Sequence, residues 1–100
     1  MYTAIRMYTT SDAAELTRRV QDEFVPMMRD LPGFMGYYVV DAGDGHIASI
    51  TVCDDRDAVA ESTDRAAAWV QERLASLITS GPKVLIGDTV VSETAAQVTA

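Results

Sequence analysis

The chain reads as an α+β domain whose elements follow the order strand, helix, strand, strand, helix, strand. Two runs rich in aromatic and β-branched residues, Phe34 to Val40 and Ile47 to Cys53, flank Asp41-Ala42-Gly43-Asp44-Gly45, whose residues tolerate the positive φ of a hairpin turn. On either side of this hairpin lies one segment with period two and one amphipathic stretch of helical period. A length of 100 residues suits a single domain, burying roughly two-thirds of its unfolded surface around one core.

Tyr2 to Tyr8 sets Thr3, Ile5 and Met7 against Tyr2, Ala4, Arg6 and Tyr8, a strand pattern with apolar groups on both faces. Thr9 to Asp12 then offers capping side chains, and Asp12 and Glu15 have the spacing of Ncap and N3 in a capping box. Leu16, Val20, Phe24, Met27, Met28 and Leu31 follow at helical intervals. Pro26 removes a backbone donor within that run, so the helix should kink there or restart as a short final turn before Leu31-Pro32-Gly33 ends it. After the hairpin, Asp54 and Asp55 place carboxylates at the start of a second helix with the apolar stripe Val59, Ala66, Val70, Leu74, Leu77 and Ile78. This helix is expected to bend or divide at Ser62-Thr63-Asp64 and to stop at Gly81-Pro82. Val84 to Val91 supplies the fourth strand. The result is a ferredoxin-like βαββαβ arrangement with a four-stranded antiparallel sheet, occupying residues 1–91, followed by a short polar tail from Ser92 to Ala100.

Two helices cover only one face of such a sheet, yet three of its strands carry apolar residues on both faces. A homodimer formed by packing two sheets face to face is the simplest cover. The net charge of −7 disfavours phosphate backbones and anionic lipid surfaces, so neither nucleic acid nor membrane is expected as a partner. No stretch approaches the roughly 20 apolar residues that span a bilayer, the first residues show no leader pattern, and a lone Cys53 suits a reducing compartment, so a cytoplasmic location is expected. His46 alone cannot build a metal site, and Gly43-Asp44-Gly45-His46-Ile47-Ala48 precedes a strand where a dinucleotide fingerprint would open a helix. No cofactor and no metal are therefore expected.

The Leu31-Pro32-Gly33-Phe34-Met35-Gly36-Tyr37 turn, Trp69 on the second helix, and Pro82-Lys83-Val84-Leu85-Ile86-Gly87 at the last strand resemble the antibiotic biosynthesis monooxygenase-like group of the dimeric α+β barrel superfamily. The resemblance runs from Tyr2 to Val91. It implies dimerisation into an α+β barrel, with a pocket between sheet and helices in each subunit and a tryptophan beside it. It also implies a range of activities that includes cofactor-free oxygenation of aromatic polyketides, heme degradation and isomerisation. The chain departs from the active branches in containing no asparagine, the amide that holds a substrate oxygen in the aromatic-oxygenase and heme-degrading members. Its one histidine falls at the hairpin exit and not on the second helix, which argues against heme degradation.

Four residues are the candidate pocket. Trp69 lies about 60° round the helix from Ala66, at the edge of the apolar stripe, where it can pack in the core or border a ligand. Tyr37 and Tyr38 are adjacent on a strand, so at most one of them enters a given cavity. Arg6, mid-strand in a covered sheet, needs either a carboxylate partner or an anionic ligand, and an ion pair is the commoner solution. Two functions fit: a cofactor-independent monooxygenase acting on a small aromatic or phenolic molecule, or a non-catalytic dimeric module that binds a small ligand or another protein.

Overall fold

The computed structural model describes residues 1–95. Strand β1 (Tyr2–Thr10) is antiparallel to both β3 (His46–Cys53) and β4 (Ile78–Asp88), and β2 (Phe34–Asp41) pairs with β3, giving the order β2-β3-β1-β4. The helices α1 (Ala13–Arg19), α2 (Val25–Arg29) and α3 (Arg56–Arg73) lie against one face. The α+β, ferredoxin-like reading is correct. Between the layers lies a core that includes Ala4, Leu16, Phe24, Met28, Val59 and Trp69.

Helices α1 and α3 start where a carboxylate meets free backbone donors. Asp12 accepts from the Glu15 N–H at 3.1 Å, and Asp55 accepts from the Ala58 N–H at 2.9 Å. The capping box is only half made. The Asp12 N–H donates to the Thr10 hydroxyl at 3.2 Å, while the Glu15 carboxylate turns to Arg18 and Arg19.

Pro26 has the effect expected of it, one turn early. Val20–Phe24 is a wide π turn with i→i+5 spacing, after which α2 restarts with Pro26 in its first turn. The wide turn also serves packing. Positions four apart drift by about 40° on a regular α-helix, and a turn with more residues takes that drift back. Leu16, Val20, Phe24 and Met28 thus stay on one buried face.

Three expectations need correction. Helix α3 does not bend or divide at Ser62, because the Ser62 hydroxyl donates to the Val59 carbonyl at 2.7 Å and is satisfied within the helix. Gly81-Pro82 does not stop α3, which closes at Arg73 with the Leu74 N–H on the Val70 carbonyl; Leu77 and Ile78 lie beyond it and still pack against the core. Strand β4 accordingly begins at Ile78, not Val84, and ends at Asp88, not Val91. The Gly-Pro pair falls in a register irregularity opposite Met7 and Thr9, where the strand is already out of regular pairing and a missing donor costs little. Of the expected tail, 96–100 lie outside the described residues.

The face away from the helices exposes Met7, Tyr38, Val40 and Leu85, one or more from each of β1, β2 and β4. No helix among the described residues is long and apolar enough to cross a membrane.

Candidate functional site

Strand alternation sends Ala4, Arg6, Tyr8 and Thr10 toward the helices, and the register sets Ser49 directly beside Arg6. Arg6 is 1% exposed. Its Nη2 donates to the Thr51 hydroxyl at 2.6 Å and to the Ser49 hydroxyl at 3.2 Å, and its Nη1 to the Thr63 hydroxyl at 3.3 Å. The expected carboxylate partner is not there: Arg6 takes part in none of the ion pairs of the described residues. Its Nε is buried without a partner. Burial lowers the basicity of the guanidinium, the nearby Tyr37 and Tyr8 phenols oppose that change, and an arginine remains charged through the physiological range.

Arg6 forms the polar end of a cavity between sheet and helices. Tyr8, Tyr37 and Ser49 stand beside it, and Phe24, Trp69 and Leu74 are among the apolar walls. Phe24 is the aromatic hinge of this lining, 5.3 Å from Tyr37 and 5.2 Å from Trp69 between ring centroids, both pairs tilted. The Tyr37 and Ser49 hydroxyls share a hydrogen bond of 2.8 Å. Burial raises the Tyr37 and Tyr8 phenols above their ordinary range, so both are neutral donors near pH 7.

The cavity has a volume of about 20 Å³, enough for one water. Against it, between the first helix and β2, lies a groove of about 280 Å³ bounded by Thr17, Val20, Gln21, Val25, Tyr37, Val39 and Asp41. Val20, Tyr37 and Val39 border both spaces and form the partition between them.

Three of the four candidate residues, Arg6, Tyr37 and Trp69, meet in this cavity. Tyr38 does not: it is 60% exposed on the opposite face, as its adjacency to Tyr37 requires. Ser49 and Thr51 carry no signal in the sequence alone, and the register of β1 on β3 is what brings them to Arg6. Among the described residues no group of three or more histidine, cysteine, aspartate or glutamate side chains is placed to hold a metal.

This is the fold of the antibiotic biosynthesis monooxygenase-like proteins. No family model matches the sequence, and no curated protein matches it. Solved structures do match in shape. A protein of unknown function from Nitrosomonas europaea superposes with a TM-score of 0.81 at 13% identity, over 96% of this chain and 95% of that one. A monooxygenase of Streptomyces coelicolor, solved with nanaomycin D bound, gives 0.73 at 18% identity, over 95% and 92%. SnoaB, a cofactor-independent oxygenase from Streptomyces nogalater solved as an asparagine-to-alanine variant, gives 0.71 at 17% identity, over 91% and 94%.

Proposed function

We propose that the chain is a cofactor-independent monooxygenase-like enzyme acting on a small aromatic or phenolic molecule. The observation that carries this reading is a charged guanidinium at the end of a cavity whose other walls, Ser49 apart, are aromatic and aliphatic side chains. Two of the similar folds belong to a monooxygenase and a cofactor-independent oxygenase, which supports the same reaction class.

In that chemistry a phenolic substrate loses its proton and passes an electron to dioxygen, and the resulting radicals join through a new C–O bond. The ring carbon then gives up its hydrogen as a proton while the O–O bond breaks, so that one oxygen atom stays as the new carbonyl and the other leaves as water with the two protons lost from the substrate. The phenol becomes a quinone, and both electron pairs come from the substrate, so no external reductant is consumed. Phe24, Tyr37 and Trp69 would hold the ring plane, and Arg6 would stabilise the negative oxygen. Oxygen uptake with a panel of naphthols and anthrones is the test. Uptake above the uncatalysed rate, lost in Arg6→Met and Trp69→Ala, supports the enzyme, and a flat panel removes it.

A cavity with room for one water favours a second reading, a non-catalytic dimeric module that binds a small ligand or another protein. Ligand binding without oxygen uptake would establish it. We further infer that the chain works as a homodimer through the exposed sheet face and that it resides in the cytoplasm, where a lone cysteine stays reduced.

A further inference from the structure

Trp69 is approached by two consecutive residues of the wide turn in the first helix. Phe24 packs its ring on the indole, 5.2 Å between centroids. Glu23, its neighbour in the chain, turns toward the end of α3, where Arg73 donates two hydrogen bonds to its carboxylate, from Nε at 2.7 Å and from Nη2 at 3.1 Å. Arg73 is itself anchored, since its carbonyl accepts from Arg19 Nη1 at 2.6 Å. Trp69 and Arg73 stand four residues apart on α3 and so lie on one face of that helix. The Glu23 carboxyl is held below the usual carboxylate range. The Arg73 hydrogen bond is the largest cause, burial opposes it, and the Trp69 indole N–H is among the groups that add to it. Nor is that N–H sealed among apolar neighbours: the buried side-chain donor left without a partner among the described residues is Arg6 Nε.

We propose that Glu23 is a positioning residue for the cavity: fixed by Arg73, its carboxylate holds the Trp69 indole N–H outward, so that Trp69 meets a ligand through its ring and not through its N–H. The proposal rests on the reading of the cavity as the ligand site and adds how its tryptophan wall is set. It also gives the wide turn a use. Adjacent residues of a regular α-helix point about 100° apart, and a turn with more residues per revolution narrows that angle, so Phe24 and Glu23 can address the ring and the edge of one indole. A wall fixed in this way needs no reordering when a ligand arrives, and a small displacement of it weakens binding. With the indole N–H engaged outside, hydrogen bonds to a ligand oxygen fall to Arg6 and the phenols.

The test uses the single indole N–H resonance that the one tryptophan gives in a nitrogen–proton correlation spectrum of the purified chain. Glu23→Ala should move this resonance upfield and speed its exchange with water roughly threefold to tenfold, the range for one charge-assisted hydrogen bond near the surface. Glu23→Gln keeps an acceptor oxygen and should restore most of both. Affinity for 1-naphthol, read by isothermal titration, should fall and recover in the same order. A merely structural ion pair would change the melting temperature and leave the indole resonance where it is. An unmoved resonance in Glu23→Ala therefore overturns the proposal and leaves the cavity standing as the ligand site. A resonance that moves while 1-naphthol affinity stays constant overturns it too, because the indole is then held without consequence for a ligand. No binding of 1-naphthol by the parent chain overturns the ligand reading together with the proposal. If Glu23→Ala does not fold, Arg73→Met decides: it keeps the carboxylate but releases it, and an unmoved indole resonance there overturns the proposal.

Discussion

Trp69 combines two roles that the helical spacing alone kept apart: it is a core residue, 7% exposed and packed on Phe24, and it is also a wall of the cavity. Trp69→Ala should therefore cost about 3–5 kcal/mol in a urea melt, from lost burial and the void left behind. Trp69→Phe keeps an aromatic against Phe24, so it should retain the fold and weaken aromatic ligands in an isothermal titration. An alanine variant that melts like the parent would remove Trp69 from the core. Arg6 and Tyr37 could be picked out because a charge or a phenol at a period-two position announces itself. Alternation does not say which of two adjacent tyrosines faces the helices, so it admits Tyr38, which points away, on the same footing as Tyr37. Nor could it say what neutralises Arg6, because Ser49, Thr51 and Thr63 are unremarkable until register and the α3 contact bring them together.

The first helix has a pH dependence that follows from its charges. Arg18, then Arg19, hold the Glu15 carboxyl down from its usual 4.5 to about 2. Because the folded value is the lower one, the stabilisation is present above pH 4.5 and is lost as pH falls toward 2. These side chains are solvent-screened, so the effect on the melting temperature should be small, and Glu15→Gln should flatten that part of the profile. An unchanged acid profile in the variant would mean that the pair contributes nothing. In β4 the informative residue is Gly81, at φ +103°, where an added Cβ would meet the Met7 carbonyl oxygen at 2.6 Å. Gly81→Ala should cost more than about 1 kcal/mol by denaturant melt. The element order was readable because hairpin chemistry and helix caps are local signals. The start of β4 was not: Leu74, Leu77 and Ile78 continue the helical apolar period, and only pairing with Thr10 across the sheet draws Ile78 into a strand.

At the level of the molecule, the helices leave one sheet face without a cover. Ile5 and Ile50 lie at its centre by register, and around them Met7 is 47% exposed, Val40 48%, Tyr38 60% and Leu85 65%. So many large apolar side chains on one continuous surface are unusual for a monomer, and packing against a second copy removes them from water without requiring a different partner. Leu85→Lys separates the alternatives. On a lone chain an exposed leucine can be changed with an effect within about 0.5 kcal/mol, so the variant would keep both its mass and its melting temperature. At a sheet-to-sheet interface the same lysine is an unpaired charge in an apolar layer, which costs several kcal/mol per dimer and shifts the equilibrium toward separate chains or unfolding. Light scattering coupled to gel filtration at micromolar concentration should therefore give twice the chain mass of 10.8 kDa for the parent and monomer mass or loss of fold for Leu85→Lys. A parent species of single-chain mass would withdraw the dimer. It would not disturb the cavity, because Arg6, Tyr37 and Trp69 meet on the opposite side of the sheet and within one chain.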